Sequence, residues 1–198
     1  MSDLGLAGDD LEQMYQEFIL DVSRDPHGKV HFATDVSLDT SEQAADTLTL
    51  TSTAQEPHAA CVMAQSHQFN PTCGDEVTVR LELSDGSDGQ DPHIQSLVWD
   101  GHGCSISQAS LSVMTDMVVG TSLEEFTTLS ETFHNLMTSR GKGLPNEADN
   151  ELLGDATAFE GVSKFPMRIK CALLGWAAVK DSLAQALTQL PAAQPAKA

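Results

Sequence analysis

Val77-Thr78-Val79-Arg80-Leu81-Glu82-Leu83 alternates apolar and polar residues without interruption, a period of two that makes it a strand with one buried face. On its N-terminal side, residues 60 to 69 read as a strand that reaches it through a tight connection. On its C-terminal side, Ser84-Asp85-Gly86-Ser87-Asp88-Gly89 is turn chemistry and Ile94 to Trp99 is a third strand, so an antiparallel meander is predicted. Asp85, Asp88 and Asp91 resemble a calcium loop, but no Glu stands at the bidentate offset, which favours a solvated turn.

After Cys104 the period changes. Ile106, Ala109, Val113 and Met117 form a helical stripe, and Leu123 to about Met137 forms another, broken by Ser139-Arg140-Gly141-Lys142-Gly143-Leu144-Pro145. A short helix is expected from Glu147 to Phe159. A long one begins at Pro166, with Ile169, Ala172, Leu173, Trp176, Val179, Leu183 and Leu187 on its inner side. Near the N-terminus, Leu11, Met14, Tyr15, Phe18, Ile19 and Val22 mark one helix face, with Asp9 and Asp10 as candidate N-caps and an end near Asp25-Pro26. Strands followed by helices predict an α+β fold: a small three-stranded antiparallel sheet, helices packed on one face, and a long C-terminal helix. One domain is expected over residues 1–190. Within it lies a mobile acidic loop at about 34–57, where Thr47 to Thr51 alternates like a short strand, and residues 191–198 read as a disordered tail.

The 198 residues carry 10 Lys plus Arg against 29 Asp plus Glu, a net charge of −19, with 40% hydrophobic residues. That is globular composition, and its acidity disfavours nucleic acid and anionic membrane surfaces as partners. No apolar run nears the roughly 20 residues of a membrane helix, and the start lacks the features of a signal peptide. A cytoplasmic location is therefore expected, where cysteines stay as thiols.

Three of the four cysteines sit in unusual settings. Cys73 lies in Asn70-Pro71-Thr72-Cys73-Gly74-Asp75, a tight turn expected to present Cys73 and Asp75 outward. Cys104 lies in Gly101-His102-Gly103-Cys104-Ser105, at a helix start where the dipole favours a thiolate. Cys171 ends Gly161-Val162-Ser163-Lys164-Phe165-Pro166-Met167-Arg168-Ile169-Lys170-Cys171, whose three basic residues are expected to stabilise a thiolate or receive an anionic partner. Three thiolates and a carboxylate suit zinc, with thiolate bonds near about 2.3 Å, or an iron-sulfur cluster. The gaps, 28 residues from Asp75 to Cys104 and 66 from there to Cys171, match no finger or ribbon pattern. Cys61, beside Val62 and Met63, reads as a small core hydrophobe, and His102 as an exposed strand-end histidine. A thiol hydrolase would need an oriented histidine base, and only His102 adjoins a cysteine in sequence. A purely structural zinc module is a further alternative, in which chelation would unfold the protein.

These three motifs together resemble the SufU branch of the NifU/IscU iron-sulfur cluster assembly family, from about Leu11 to Leu183 apart from residues 34–66. The resemblance implies an IscU-like fold with Cys73, Asp75, Cys104 and Cys171 as metal or cluster ligands. The scaffold branch carries His before its third cysteine and a shorter preceding segment; Lys170 and the long stretch from Arg140 to Glu160 favour SufU. The implied function is a zinc-dependent sulfurtransferase. Cys73 would accept persulfide sulfur from a SufS-type cysteine desulfurase, whose histidine displaces Cys73 from zinc, and downstream iron-sulfur assembly proteins would receive the sulfur. Arg168 would dock the partner or orient a thiolate. The alternative is a scaffold that assembles a labile iron-sulfur cluster on the same ligands. The family's Asp-His-Tyr at the end of the first helix is here Asp21-Val22-Ser23, and the 34–66 stretch is longer than usual.

Overall fold

In the computed structural model, which describes residues 8–32, 61–87 and 89–190, β1 (Cys61–Asn70), β2 (Asp75–Ser84) and β3 (Ile94–His102) form one antiparallel sheet in the order β1-β2-β3. The alternation that predicts β2 is realised up to Leu81, with Thr78 and Arg80 half-buried between buried neighbours, whereas Glu82 is buried as well. Val77, Val79, Leu81 and Leu83 are buried without remainder, and Val79 pairs with Ser66 on one side and Trp99 on the other. The register slips at Glu82/Leu83, next to the 84–93 connection. The acidic 34–57 loop, the short strand at Thr47 to Thr51, Asp88 and the 191–198 tail lie outside the described residues, as does the side chain of Asp9.

Five α-helices follow the expected order: α1 (Gly8–Arg24), α2 (Ser105–Val118), α3 (Leu123–Thr138), α4 (Glu147–Leu153) and α5 (Pro166–Gln189). The helix expected over 147–159 stops at Leu153, where glycine, a poor helix former, caps it, and residues Gly154–Lys164 continue as a 3-10 helix. α5 lies across β1 and β2, and α2 packs against both α1 and α5. This double contact buries Ser107, Ser110, Ser112 and Thr115 along with Ala109, Leu111, Val113 and Met114, while Ile106 and Met117 of the expected stripe are only half-buried. Each of these hydroxyls meets backbone: Ser107 Oγ donates to Cys104 O, Ser110 Oγ to Ala172 O at 2.6 Å and Thr115 Oγ1 to Leu111 O, while Ser112 Oγ accepts from His27 N.

α3 opens with a capping box between Ser122 and Glu125 and supplies Phe126 and Phe133 to an aromatic cluster. Phe133 stacks on Trp176 at 4.8 Å between centroids and meets Phe159 edge-on at 5.8 Å.

Two expected core faces need correction. On α1 only Ile19 is buried among the stripe residues, with Phe18 and Val22 packed beside it; Leu11 is 37% and Met14 49% exposed. α1 packs on α2 and the 3-10 helix, leaving its first turns open. On α5, Leu187 is 45% exposed because Ala186, three residues beyond Leu183, takes the core position instead.

The chain after α1 then runs along the outer edge of β3. Val30 N donates to Trp99 O at 2.8 Å and Trp99 N to Gly28 O at 2.9 Å, covering part of an edge that would otherwise be open.

Candidate metal centre

The start of β2, the end of β3 and the N-termini of α2 and α5 meet at one end of the sheet, and the predicted residues meet with them. Asn70 pairs with Asp75 to close the β1–β2 hairpin. Gly74 N donates to Asn70 O at 2.9 Å and Thr72 N to Asn70 Oδ1 at 3.1 Å. Gly74 takes a φ of 75°, a left-handed conformation that L side chains resist, and the turn holds Cys73 exposed at its tip.

Asp75 does not follow Cys73 outward. Its side chain points inward as the first residue of β2, 2% exposed, a correction to the expected outward turn. The cause is its hydrogen bonding: Oδ1 accepts from Cys104 N at 2.9 Å, and Cys104 Sγ donates to Oδ2 at 3.3 Å. Cys104 is the N-cap of α2, and its own side chain makes no capping bond. The carboxylate of Asp75 takes the N–H of Cys104. Gly103 permits this approach, since a Cβ there would stand 2.5 Å from Ser107 Oγ and 2.8 Å from Asp75 Cγ.

Cys171 enters from the second turn of α5, 4% exposed, with Sγ 3.1 Å from Cys73 Sγ. One donor atom each from Cys73, Asp75 and Cys171 falls within 4.8 Å of the others, and Cys104 joins them through Asp75. Three of the four predicted residues therefore form one metal-sized cluster, and Cys104 touches it through Asp75.

Burial raises the Asp75 pKa, but the Cys104 N–H and contacts with the thiols of Cys73, Cys171 and Cys104 outweigh it and hold the carboxyl below its ordinary value. Burial pushes the Cys171 thiol far up, followed by its hydrogen bonds with Cys73 and Asp75 and by the charges of Cys104 and Asp75. This reverses the expected thiolate stabilisation by nearby cations. Lys164 pairs with Glu12 at 2.9 Å, Arg168 stacks over Phe165 at 4.5 Å, and Lys170 is exposed. Arg168 instead lines, with Cys104, Tyr15, Ile106 and Phe165, a groove of about 730 Å³ beside α1.

His102 is exposed as expected, with Nδ1 3.9 Å from Glu76 Oε1. Cys61 is half-buried at the start of β1, paired with Ser84, rather than a core residue. Asn70, for which the sequence predicts no role, also reaches the cluster: its Nδ2 donates to Cys171 Sγ at 3.7 Å. Its sequence signal was an Asn opening the Pro-Thr-Cys-Gly turn.

The NifU-like N-terminal domain family matches residues 14–172. The zinc-dependent sulfurtransferase SufU of Bacillus subtilis is 41% identical over 116 residues, 59% of this chain and 71% of that protein. The iron-sulfur cluster assembly scaffold protein IscU of Streptococcus pyogenes serotype M1 is 40% identical over 114 residues, 58% of this chain and 65% of its own length, just under two thirds of that relative. A solved structure from Fervidobacterium islandicum, described as a candidate iron-sulfur cluster assembly scaffold for the SUF system, superposes with a TM-score of 0.58 at 29% identity, covering 87% of this chain and 98% of that one. A NifU-like protein of Brucella abortus shares the fold, with a TM-score of 0.62 at 21% identity over 90% of this chain and 98% of that one.

Proposed function

The chain belongs to the NifU-like N-terminal domain family, and on that footing we propose that it is a zinc-dependent sulfur acceptor in iron-sulfur cluster assembly. The observation that carries this reading is the contrast within one cluster: Cys73 is exposed at the tip of a turn, while Asp75 and Cys171 are buried behind it. A site meant only to hold a metal gains nothing from offering one thiol to solvent; a site that hands sulfur between proteins requires it.

The donor set fits zinc. Three thiols and a carboxylate make four donors of the types zinc takes, and the carboxyl stays ionised because of its N–H and thiol contacts. Cys73, Asp75, Cys104 and Cys171 would hold the ion. When bound, zinc keeps its thiols deprotonated at neutral pH while lowering their nucleophilicity.

The chain's own residues supply the rest. Cys73, as a thiolate, attacks the terminal sulfur of a persulfide carried by a cysteine desulfurase. The new sulfur–sulfur bond forms on Cys73 as the desulfurase cysteine leaves as its thiolate. Asp75, anchored on Cys104 N, keeps the base of the turn fixed, and Cys104 and Cys171 stay behind it. Arg168, which lines the groove, would dock an anionic group of the partner.

The partners are a SufS-type desulfurase and downstream iron-sulfur assembly proteins, acting in the cytoplasm. Among the described residues no helix is long and apolar enough to cross a membrane.

A second reading, a scaffold for a labile cluster on the same ligands, is favoured by the IscU relative's description. Metal and acid-labile sulfide analysis of protein purified anaerobically separates the two. About one zinc per chain without iron or sulfide supports the sulfur acceptor. Iron with matching sulfide assigns the chain to the scaffold reading.

A further inference from the structure

Asn70 is 5% exposed and uses both ends of its side chain. Oδ1 accepts the backbone N–H of Thr72 at 3.1 Å, and a backbone N–H can only donate, so that end of the carboxamide must be the oxygen. The amide nitrogen is thereby turned toward Cys171, and Nδ2 donates to its Sγ at 3.7 Å, a contact of sulfur length. One buried side chain thus ties the turn that presents Cys73 to the buried thiol on α5, across 101 residues of sequence.

The nearest substitutes in size and chemistry do not do both. Aspartate offers acceptors at both ends, serine is too short to reach the sulfur, and glutamine places its donor one carbon farther out.

We infer that Asn70 is a positioning residue of the metal centre. Its N–H draws electron density from the Cys171 sulfur and fixes that sulfur relative to the Cys73 turn. Cys171 is thereby kept as the standing ligand, and Cys73 is the thiol that exchanges and takes sulfur. The same logic gives metal-bound groups their orientation through partners one layer out. The inference rests on the reading that Cys73, Asp75, Cys104 and Cys171 hold a metal.

Cobalt(II) titration of the metal-free full chain tests it, comparing the unaltered protein with Asn70→Ser and Asn70→Asp, followed by zinc competition against a chromophoric chelator. Both variants keep an oxygen to receive the Thr72 N–H, and both lose the N–H to sulfur. The expected result is one cobalt per chain in all three. In the variants the sulfur-to-cobalt charge-transfer band moves to longer wavelength, and zinc binds about tenfold more weakly.

An unmoved band with weaker zinc binding would assign Asn70 to the turn alone and overturn the inference. Unchanged band and affinity would overturn it as well, leaving the metal reading intact. No thiolate-to-cobalt band in the unaltered protein would remove the metal reading itself, and this inference with it. If Asn70→Ser fails to fold, Asn70→Asp, which preserves the turn acceptor at full length, decides the matter.

Discussion

Asp75 is the residue on which the centre turns, because it meets all three thiols and the Cys104 N–H at once. Asp75→Asn keeps an acceptor for that N–H while removing the charge. It should leave the fold intact and weaken zinc at least about tenfold, measured by chelator competition. The two shifted groups of the site also set a pH dependence. The folded Cys171 pKa is raised, so its contribution to metal-free stability is full below the unfolded thiol pKa and is lost as pH rises through the folded value. The folded Asp75 pKa is lowered, so its contribution is present above the unfolded carboxyl pKa and lost as pH falls through the folded one. Metal-free stability should therefore decline at both extremes. Because zinc must displace thiol protons, its affinity should rise with pH between 6 and 8. Calorimetry in buffers of different ionisation heat should show protons released as zinc binds near pH 7, the buried Cys171 thiol among their sources. Release of none would mean that the thiols are not the ligands.

At the scale of elements, the β1–β2 hairpin and the start of α2 carry the site, and the two glycines there fail in different ways when replaced. Gly74→Ala meets no neighbour but must hold a φ of 75°, which should lower stability by about 1–2 kcal/mol and leave the donor set in place. Gly103→Ala collides with Ser107 Oγ at 2.5 Å and Asp75 Cγ at 2.8 Å, so it should displace the carboxylate and cost zinc affinity as well. Ser122→Ala removes the α3 cap far from the site. It should cost about 1 kcal/mol in denaturant melts with zinc binding unchanged. If Gly103→Ala bound zinc as tightly as Ser122→Ala does, the close packing of Asp75 against the α2 terminus would not matter to the centre.

Across the whole molecule, the architecture was legible wherever a single period ran unbroken. β2 declared itself by alternation, α3 by its spacing, and α5 by spacing together with Pro166 at its start. Legibility ended where packing from two sides decides burial. α2 buries serines because it lies between two helices, and α1 leaves Leu11 and Met14 open because it lies at the margin. No pattern local to either helix shows this. The four proposed ligands could be named from motifs that resemble the family's, but three finer features depended on the folded arrangement: the inward turn of Asp75, the raised pKa of Cys171 and the two hydrogen bonds of Asn70. Each arises from contacts between segments, of which Cys73 to Cys171, 98 residues apart, is the plainest.

The central claim is that Cys73 takes sulfur from a persulfide donor. It is tested most directly by incubating the zinc-loaded protein with a cysteine desulfurase and cysteine, then mapping the products by mass spectrometry of alkylated peptides. The account predicts one added sulfur on Cys73, none on Cys104 or Cys171, and loss of the adduct in Cys73→Ala. Sulfur found on Cys171 with Cys73 unmodified, or transfer that persists in Cys73→Ala, would contradict it.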